Sequence, residues 1–129
     1  MSSLVVDTHT IIWYLLASEK ISQKAITALD ETLETGNVVY LPSICLVEIL
    51  YLVEKGRLPK EAFDRINLVL SEPESGFVVA PLDRAIPRTK RSAIPDMPDR
   101  IIASTALFLN FPLVTKDKKI EAAGITTIW

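Results

Sequence analysis

Apolar residues in this chain fall into two kinds of segment that alternate from one end to the other. Short segments built on consecutive apolar residues, typical of buried strands, lie at residues 4–7, 38–43, 77–83, 111–117 and 125–129. Longer segments repeat their apolar residues every three or four positions, as helices do, at residues 8–18, 22–34, 44–56, 60–71 and 98–110. A short helix is expected after residue 117. Strands that alternate with helices and lack polar alternation predict an α/β fold, with a parallel sheet covered on both faces.

Length, composition and charge limit the classes of protein that fit. The 129 residues suit a single domain over residues 1–129, and 49% apolar with 23% charged residues is typical of a compact folded protein. The net charge of −2 gives no overall attraction to nucleic acid or to a membrane. Any such partner must therefore be argued from local features.

Cysteine usage and the apolar start of the chain bear on its location. Cys45 is the only cysteine, so no disulfide can form within the chain, and we expect a reducing, cytoplasmic compartment. Apolar neighbours make Cys45 an expected inert core residue. Asp7 and His9 interrupt the apolar start, which argues against a membrane span, because a span needs roughly 20 mostly apolar residues.

Four acidic residues lie where charge is unexpected. Asp7 and Asp117 each end a buried strand, and the carboxyl ends of parallel strands meet at the edge of a sheet where ligands bind. Glu48 projects from the apolar stripe of its helix, and Asp99 faces inward from the first turn of another. Simpler explanations exist for three of these acids. Asp7 and Asp117 could each cap the helix that follows, which contributes about 1 kcal/mol. Asp99 could interact with the positive end of the dipole of its own helix. For Glu48 the only local partner is Lys55.

These simpler explanations would have to coincide at all four acidic positions. If the fold brings the four carboxylates together, their repulsion raises some of their pKa values and destabilises the site. A divalent cation such as Mg²⁺ or Mn²⁺ removes this repulsion, since it binds oxygen ligands directly or through water. The pattern therefore indicates a metal-dependent site for phosphoryl transfer, in which the metal activates water and neutralises the phosphate.

Four segments of the sequence resemble a known family. They are LVVDTHTIIWYL, PSICLVEI, PDMPDRIIASTA and PLVTKD, and they follow one another in the order of that family across nearly the whole chain. Together they resemble the PIN-domain ribonucleases, and within these the VapC-type toxins of toxin–antitoxin pairs. The resemblance implies a three-layer α/β/α sandwich around a parallel sheet, Mg²⁺- or Mn²⁺-dependent cleavage of RNA, a homodimer, and inhibition by a small VapB-like antitoxin.

The resemblance also assigns roles to individual residues. The four acids of the family correspond to Asp7, Glu48, Asp99 and Asp117. Thr115 matches a hydroxyl that can bond a carboxylate, and Asp96 matches an acid that we expect to cap a helix or to act at one remove from the metal. The family commonly has Ser or Thr where this chain has Cys45, and Ser43 keeps a hydroxyl nearby. His9 is expected to be structural, because two-metal hydrolysis needs no histidine.

RNA binding by an acidic protein requires a local basic surface. The candidates are Arg84, Arg88, Lys90, Arg91, Arg100, Lys116, Lys118 and Lys119. Arg100 and Lys116 are the best of them, because each is next to one of the four acids, and phosphate contacts would make binding depend steeply on salt. Trp13 and Tyr14 are expected in the core and in dimer or antitoxin surfaces rather than in base stacking.

Three other functions compete with a toxin ribonuclease. One is a PIN-domain nuclease with a housekeeping role in RNA processing, and a second is an inactive binding module that keeps the fold. The third is a phosphatase of the haloacid-dehalogenase type, which also begins with an apolar strand followed by Asp. That family requires a second Asp where this chain has His9.

Overall fold

All strands of the computed structural model pair in parallel in one sheet. The structure describes residues 2–84 and 94–129. Within them the strands are β1 (Leu4–Val6), β2 (Val39–Pro42), β3 (Phe77–Ala80), β4 (Leu113–Val114) and β5 (Thr127–Ile128). The helices are α1 (Thr8–Leu15), α2 (Gln23–Glu34), α3 (Ser43–Glu54), α4 (Lys60–Ser71), α5 (Met97–Leu109) and α6 (Lys118–Ala122). The predicted α/β fold with a central parallel sheet is confirmed.

The order of the strands fixes where a ligand site can form. The sheet runs β3-β2-β1-β4-β5, so the chain builds outwards from β1 on one side and later returns to β1 on the other. The switch point lies between β1 and β4, where Val6 is paired with Val114. In parallel sheets, ligands bind at the carboxyl ends of the strands beside such a switch point. The residues that follow Val6 and Val114 therefore meet at this place.

The sheet interior is apolar, as the unbroken runs predicted. Val5, Val6, Val39, Leu41 and Val114 have no exposed side-chain surface, and helices pack on the sheet to complete the α/β/α arrangement. Burial of such side chains contributes about 1.5–3 kcal/mol each. This rigid support holds the residues that follow β1 and β4.

Each strand is shorter than its predicted segment, and β3 and β4 end where their partner strands end. The segment at residues 77–83 pairs only to Ala80, since its neighbour β2 ends at Pro42, the partner of Ala80. The segment at residues 111–117 pairs over Leu113 and Val114, whose partners are the two residues of β5. Apolar sequence marked these strands correctly, whereas the ends depended on neighbouring strands that a local pattern does not contain.

The helix ends follow local chemistry. In α5, Asp96 accepts a hydrogen bond from the backbone of Asp99, Pro98 lies in the first turn as predicted, and Asn110 ends the helix in the left-handed region at φ 59°.

The predicted basic residues Arg88, Lys90 and Arg91 lie outside the described residues. Every helix at residues 2–84 and 94–129 is too short or too polar to cross a membrane.

Candidate functional site

The carboxyl ends of β1 and β4 bring Asp7 and Thr115 into contact. Asp7 follows β1 directly, and its backbone N–H donates to the carbonyl oxygen of Val114 at 3.4 Å. One carboxylate oxygen of Asp7 accepts from the backbone N–H of Thr10 at 2.9 Å, and the other accepts from the hydroxyl of Thr115 at 2.5 Å. Asp7 therefore caps α1, as its simpler explanation proposed, and is also held from the neighbouring strand.

Asp117 is held by the same threonine. Its backbone N–H donates to the hydroxyl oxygen of Thr115 at 3.0 Å, and its carboxylate accepts from the backbone N–H of Lys119 at 2.9 Å. Asp117 thus caps α6, as its simpler explanation also proposed. The hydroxyl of Thr115 donates to one acid and accepts from the backbone of the other, and this fixes their relative position.

Glu48 reaches the site from α3 and is held there by Thr8. The hydroxyl of Thr8 donates to the carboxylate of Glu48 at 2.6 Å, although the two residues are 40 positions apart. Lys55, the one local cation expected for Glu48, lies instead over the ring of Tyr51, with its Nζ 5.4 Å from the ring centroid. Thr8 is the residue that the sequence did not reveal, because next to Asp7 it has only the appearance of a helix cap.

Asp99 shows that the acidic residues affect one another. It lies in the first turn of α5, and Asp96 caps that helix by accepting from the backbone N–H of Asp99 at 3.1 Å. The pKa of Asp99 is raised to about 7, mainly by burial and in addition by the negative charges of Asp96, Asp117, Glu48 and Asp7. The fold therefore brings all four predicted acids close enough to interact.

Three of the four acids line one cleft at this edge of the sheet. Asp7, Asp99 and Asp117 share a cavity of about 320 Å³ whose other walls include Trp13 and Lys116. A smaller cavity of about 210 Å³ continues on the other side of Asp99 and Asp117, lined also by Asp96 and Lys119. The acids thus face open space in which a substrate and ions have room.

The donor atoms fit a hard divalent cation. The cleft offers carboxylate oxygens, which Mg²⁺ and Mn²⁺ prefer, and the pKa of Asp99 is raised by burial and also by neighbouring negative charges that a cation would compensate. In the part of the chain that the structure describes, no three acidic, histidine or cysteine side chains stand close enough to hold one ion together. Mg²⁺ commonly binds one or two carboxylates directly and keeps several waters. The residues present fit an ion bound in that way.

The other predicted site residues lie around the cleft with different partners. The Nζ of Lys116 lies 5.9 Å from the centroid of the Trp13 ring, on the cleft wall. Arg100 is half-buried, and its guanidinium donates to the sulfur of Met97 at 3.5 Å. Ser43 begins α3, and the hydroxyl that holds Glu48 comes from Thr8 instead. The role predicted for Ser43 stays a prediction.

His9 and Cys45 differ in their exposure to the cleft. His9 is exposed on the cleft wall, and its ring lies 5.5 Å from that of Trp13. Cys45 is fully buried, and burial raises the pKa of its thiol, although a hydrogen bond with Thr8 acts in the opposite direction. Because the protonated thiol is a poor nucleophile, the expectation of an inert core cysteine is supported.

Solved structures of other proteins share this fold. VapBC2 from Rickettsia felis, bound to a promoter DNA fragment, is 18% identical with a TM-score of 0.71, and the match covers 97% of this chain and 96% of the other. FitAB bound to the IR36 DNA fragment is 22% identical with a TM-score of 0.66, covering 96% and 92%. FitAcB from Neisseria gonorrhoeae is 22% identical with a TM-score of 0.63, covering 96% and 95%.

These similarities establish the fold, and a family model gives the family. A search of curated proteins by sequence finds no match. The family model of the PIN domain matches residues 4–125, which include all four acids. This match excludes the haloacid-dehalogenase alternative. The chain belongs to the PIN domain family.

Proposed function

We propose that this chain is a metal-dependent endoribonuclease, formed by one PIN-like domain over residues 1–129. We also propose that it is the toxin of a type II, VapBC-like toxin–antitoxin system in the cytoplasm. The observation that carries the proposal is the shared cleft of Asp7, Asp99 and Asp117, with Glu48 held by Thr8 near enough to affect Asp99. Such a cluster is costly without a cation, because burial and four acidic neighbours oppose the ionisation of Asp99.

The chemistry follows from how each side chain is held. Bound Mg²⁺ or Mn²⁺ would activate a water for attack on the phosphate and neutralise charge on the phosphate and leaving oxygen. Asp7 and Asp117 are both held through Thr115, so their carboxylates keep their positions at the cleft. Glu48 is fixed by Thr8 in the same way. Asp99, with a pKa of about 7, gives up its proton more readily when positive charge enters the cleft.

Partner binding is supported by an apolar surface on α3. Val47 is 61% exposed, Leu50 45% and Tyr51 55%, which is unusual for neighbouring apolar residues on one helix. A homodimer contact or a VapB-like antitoxin would remove this surface from water. The likeness to VapBC2 supports the antitoxin as a partner, and RNA is the proposed substrate.

Two alternatives within the PIN family remain distinct from the toxin proposal. A housekeeping nuclease would use the same site on ribosomal or structured RNA, and its gene would have no small antitoxin gene beside it. An inactive binding module is less consistent with four acids that lie close enough to oppose the ionisation of Asp99, because this arrangement costs stability. Metal-dependent cleavage separates this last alternative from both nucleases.

Induced expression in a bacterial host tests the toxin role. We expect the wild-type protein to arrest growth and to leave cut cellular RNA, and we expect coexpression of the neighbouring antitoxin gene to restore growth. Asp7→Asn at the same protein level should do neither. Equal growth arrest by wild-type protein and Asp7→Asn would contradict the proposal, and cleavage without arrest would favour the housekeeping role.

A further inference from the structure

Trp13 occupies a position that the metal site does not explain. It lies on α1 and is half-buried, and its indole lines the same cleft as Asp7, Asp99 and Asp117. Trp13 and His9 also line a second groove of about 470 Å³, so the two cavities share this part of their walls. At the edge of this acidic cleft, the flat face of the indole is available to a substrate strand that extends out of the cleft.

The indole is held from several sides. The ring of Trp129 meets it edge-on at a centroid distance of 5.8 Å, and the ring of His9 lies 5.5 Å away. The Nζ of Lys116 lies 5.9 Å from the indole centroid, within the range of a cation–π contact. A positive charge and an aromatic surface are thus paired within reach of the carboxylates.

The second groove continues this combination of chemistry. Its walls include the apolar side chains of Leu16 and Leu52 and the cations Lys20 and Arg57. Grooves that bind single-stranded nucleic acid combine stacking surfaces for bases with cations that follow the backbone. An RNA strand that leaves the carboxylate cleft past Trp13 would meet both features.

We propose that Trp13 stacks against a nucleobase of the RNA next to the phosphate that is cut, while Lys116 contacts a backbone phosphate of the same strand. This inference rests on the proposed ribonuclease function and gives Trp13 a role in positioning the substrate. Stacking on an indole is possible for every base, because each base has a π-face. Trp13 therefore sets the position of a nucleotide and contributes little to the choice of base.

Binding without turnover tests the inference directly. In an Asp7→Asn background, a fluorescein-labelled, unstructured RNA oligonucleotide is titrated by anisotropy in Mg²⁺. We expect Trp13→Leu to weaken binding by roughly 10-fold, within the range found for loss of one base stack, and Trp13→Phe to retain most of the affinity. Circular dichroism and the melting temperature establish that each variant is folded.

The chain offers a matched control elsewhere on its surface. Phe108 on α5 is also an exposed aromatic residue, and it lines neither of the two cavities that Trp13 lines. We expect Phe108→Leu to leave oligonucleotide binding unchanged. Equal loss of affinity in Phe108→Leu and Trp13→Leu would overturn the inference, as would unchanged binding in Trp13→Leu or no binding by folded Asp7→Asn.

A double-mutant cycle that combines Trp13→Leu with abasic oligonucleotides distinguishes base stacking from a general loss of affinity. A single abasic site is moved along the oligonucleotide, and at one position we expect it to weaken binding as much as Trp13→Leu does. At that position the two changes together should cost no more than either alone, because both remove the same contact. Additive effects at every position would overturn stacking.

The outcomes for stacking and for hydrolysis are separate. If the wild-type protein cleaves RNA only with metal but the cycle is additive, the ribonuclease function stands and the stacking role of Trp13 is overturned. A coupled cycle in a protein that does not cleave RNA would keep the stacking contact and contradict the hydrolysis. Loss of antitoxin binding in Trp13→Leu, with unchanged RNA binding, would assign the surface to a protein partner and overturn the inference.

Discussion

The hydroxyl of Thr115 donates a hydrogen bond to the carboxylate of Asp7 across 108 positions of sequence. The same hydroxyl oxygen accepts from the backbone N–H of Asp117. Thr115 is 2% exposed, so its hydroxyl group lies almost entirely away from water. One buried threonine thus joins the two strand-terminal acids on which the proposed site depends.

Replacement of Thr115 tests this connection. Thr115→Val keeps the shape of the side chain but leaves a carboxylate oxygen and an N–H unpaired, so we expect a loss of about 1–3 kcal/mol in the free energy of unfolding. Thr115→Ser should retain most of the stability, because it keeps the hydroxyl. The exposed Thr126 is a control, and Thr126→Val should change the value by less than about 0.5 kcal/mol. Urea unfolding measures all three, and equal effects of Thr115→Val and Thr126→Val would refute the connection.

Thr8 should affect the site through Glu48. Thr8→Val removes the hydroxyl that donates to Glu48, whereas Thr8→Ser keeps it. Partners of this kind typically contribute 10- to 100-fold to metal affinity or activity. We therefore expect Thr8→Val to raise the Mg²⁺ concentration needed for half-maximal RNA cleavage by roughly that factor. If Thr8→Val needs the same Mg²⁺ concentration as the wild-type protein, Glu48 does not act at the metal site.

The pKa of Asp99 predicts how the metal-free protein responds to pH. Its ordinary value is 3.8 and its folded value about 7, so between these the folded state holds a proton that the unfolded state has released. Stability in EDTA therefore falls as the pH rises from about 4 to about 7. Asp99→Asn should flatten this fall and raise the melting temperature above pH 7.

A second acid and a control complete that measurement. Glu48→Gln should also raise the melting temperature in EDTA, because it removes one of the charges that oppose the ionisation of Asp99. The exposed Asp64 on α4 is the control, and Asp64→Asn should have little effect. Lower melting temperatures in EDTA for both Asp99→Asn and Glu48→Gln would count heavily against a crowded cluster.

Lys116 should contribute to the salt dependence of RNA binding. Release of counterions by one phosphate contact on a single strand gives a slope of about −0.7 in log affinity against log salt. Lys116→Gln should reduce the measured slope by about that amount, whereas the exposed Lys60 on α4 gives a control in Lys60→Gln. Equal slopes for wild-type protein and Lys116→Gln would show that Lys116 makes no phosphate contact.

The sequence predicted the parallel sheet and the four acids because both leave a local pattern. Apolar runs mark buried strands wherever they occur, and a carboxylate at the end of such a run is conspicuous. The donor to Glu48 left no such pattern, since Thr8 is 40 positions away and the pairing depends on how α1 packs against α3. Trp13 was expected away from the substrate for a similar reason. Its apolar helix predicts burial, but only the packed structure places its indole on the cleft wall.

Cleavage of a labelled RNA by the purified protein tests the central claim most directly. The substrate is incubated with wild-type protein in Mg²⁺ or Mn²⁺, with the same protein in excess EDTA, and with Asp7→Asn in the presence of metal. The four-carboxylate account predicts endonucleolytic products in the first reaction and background levels in the other two. Products that persist both in EDTA and with Asp7→Asn would contradict it.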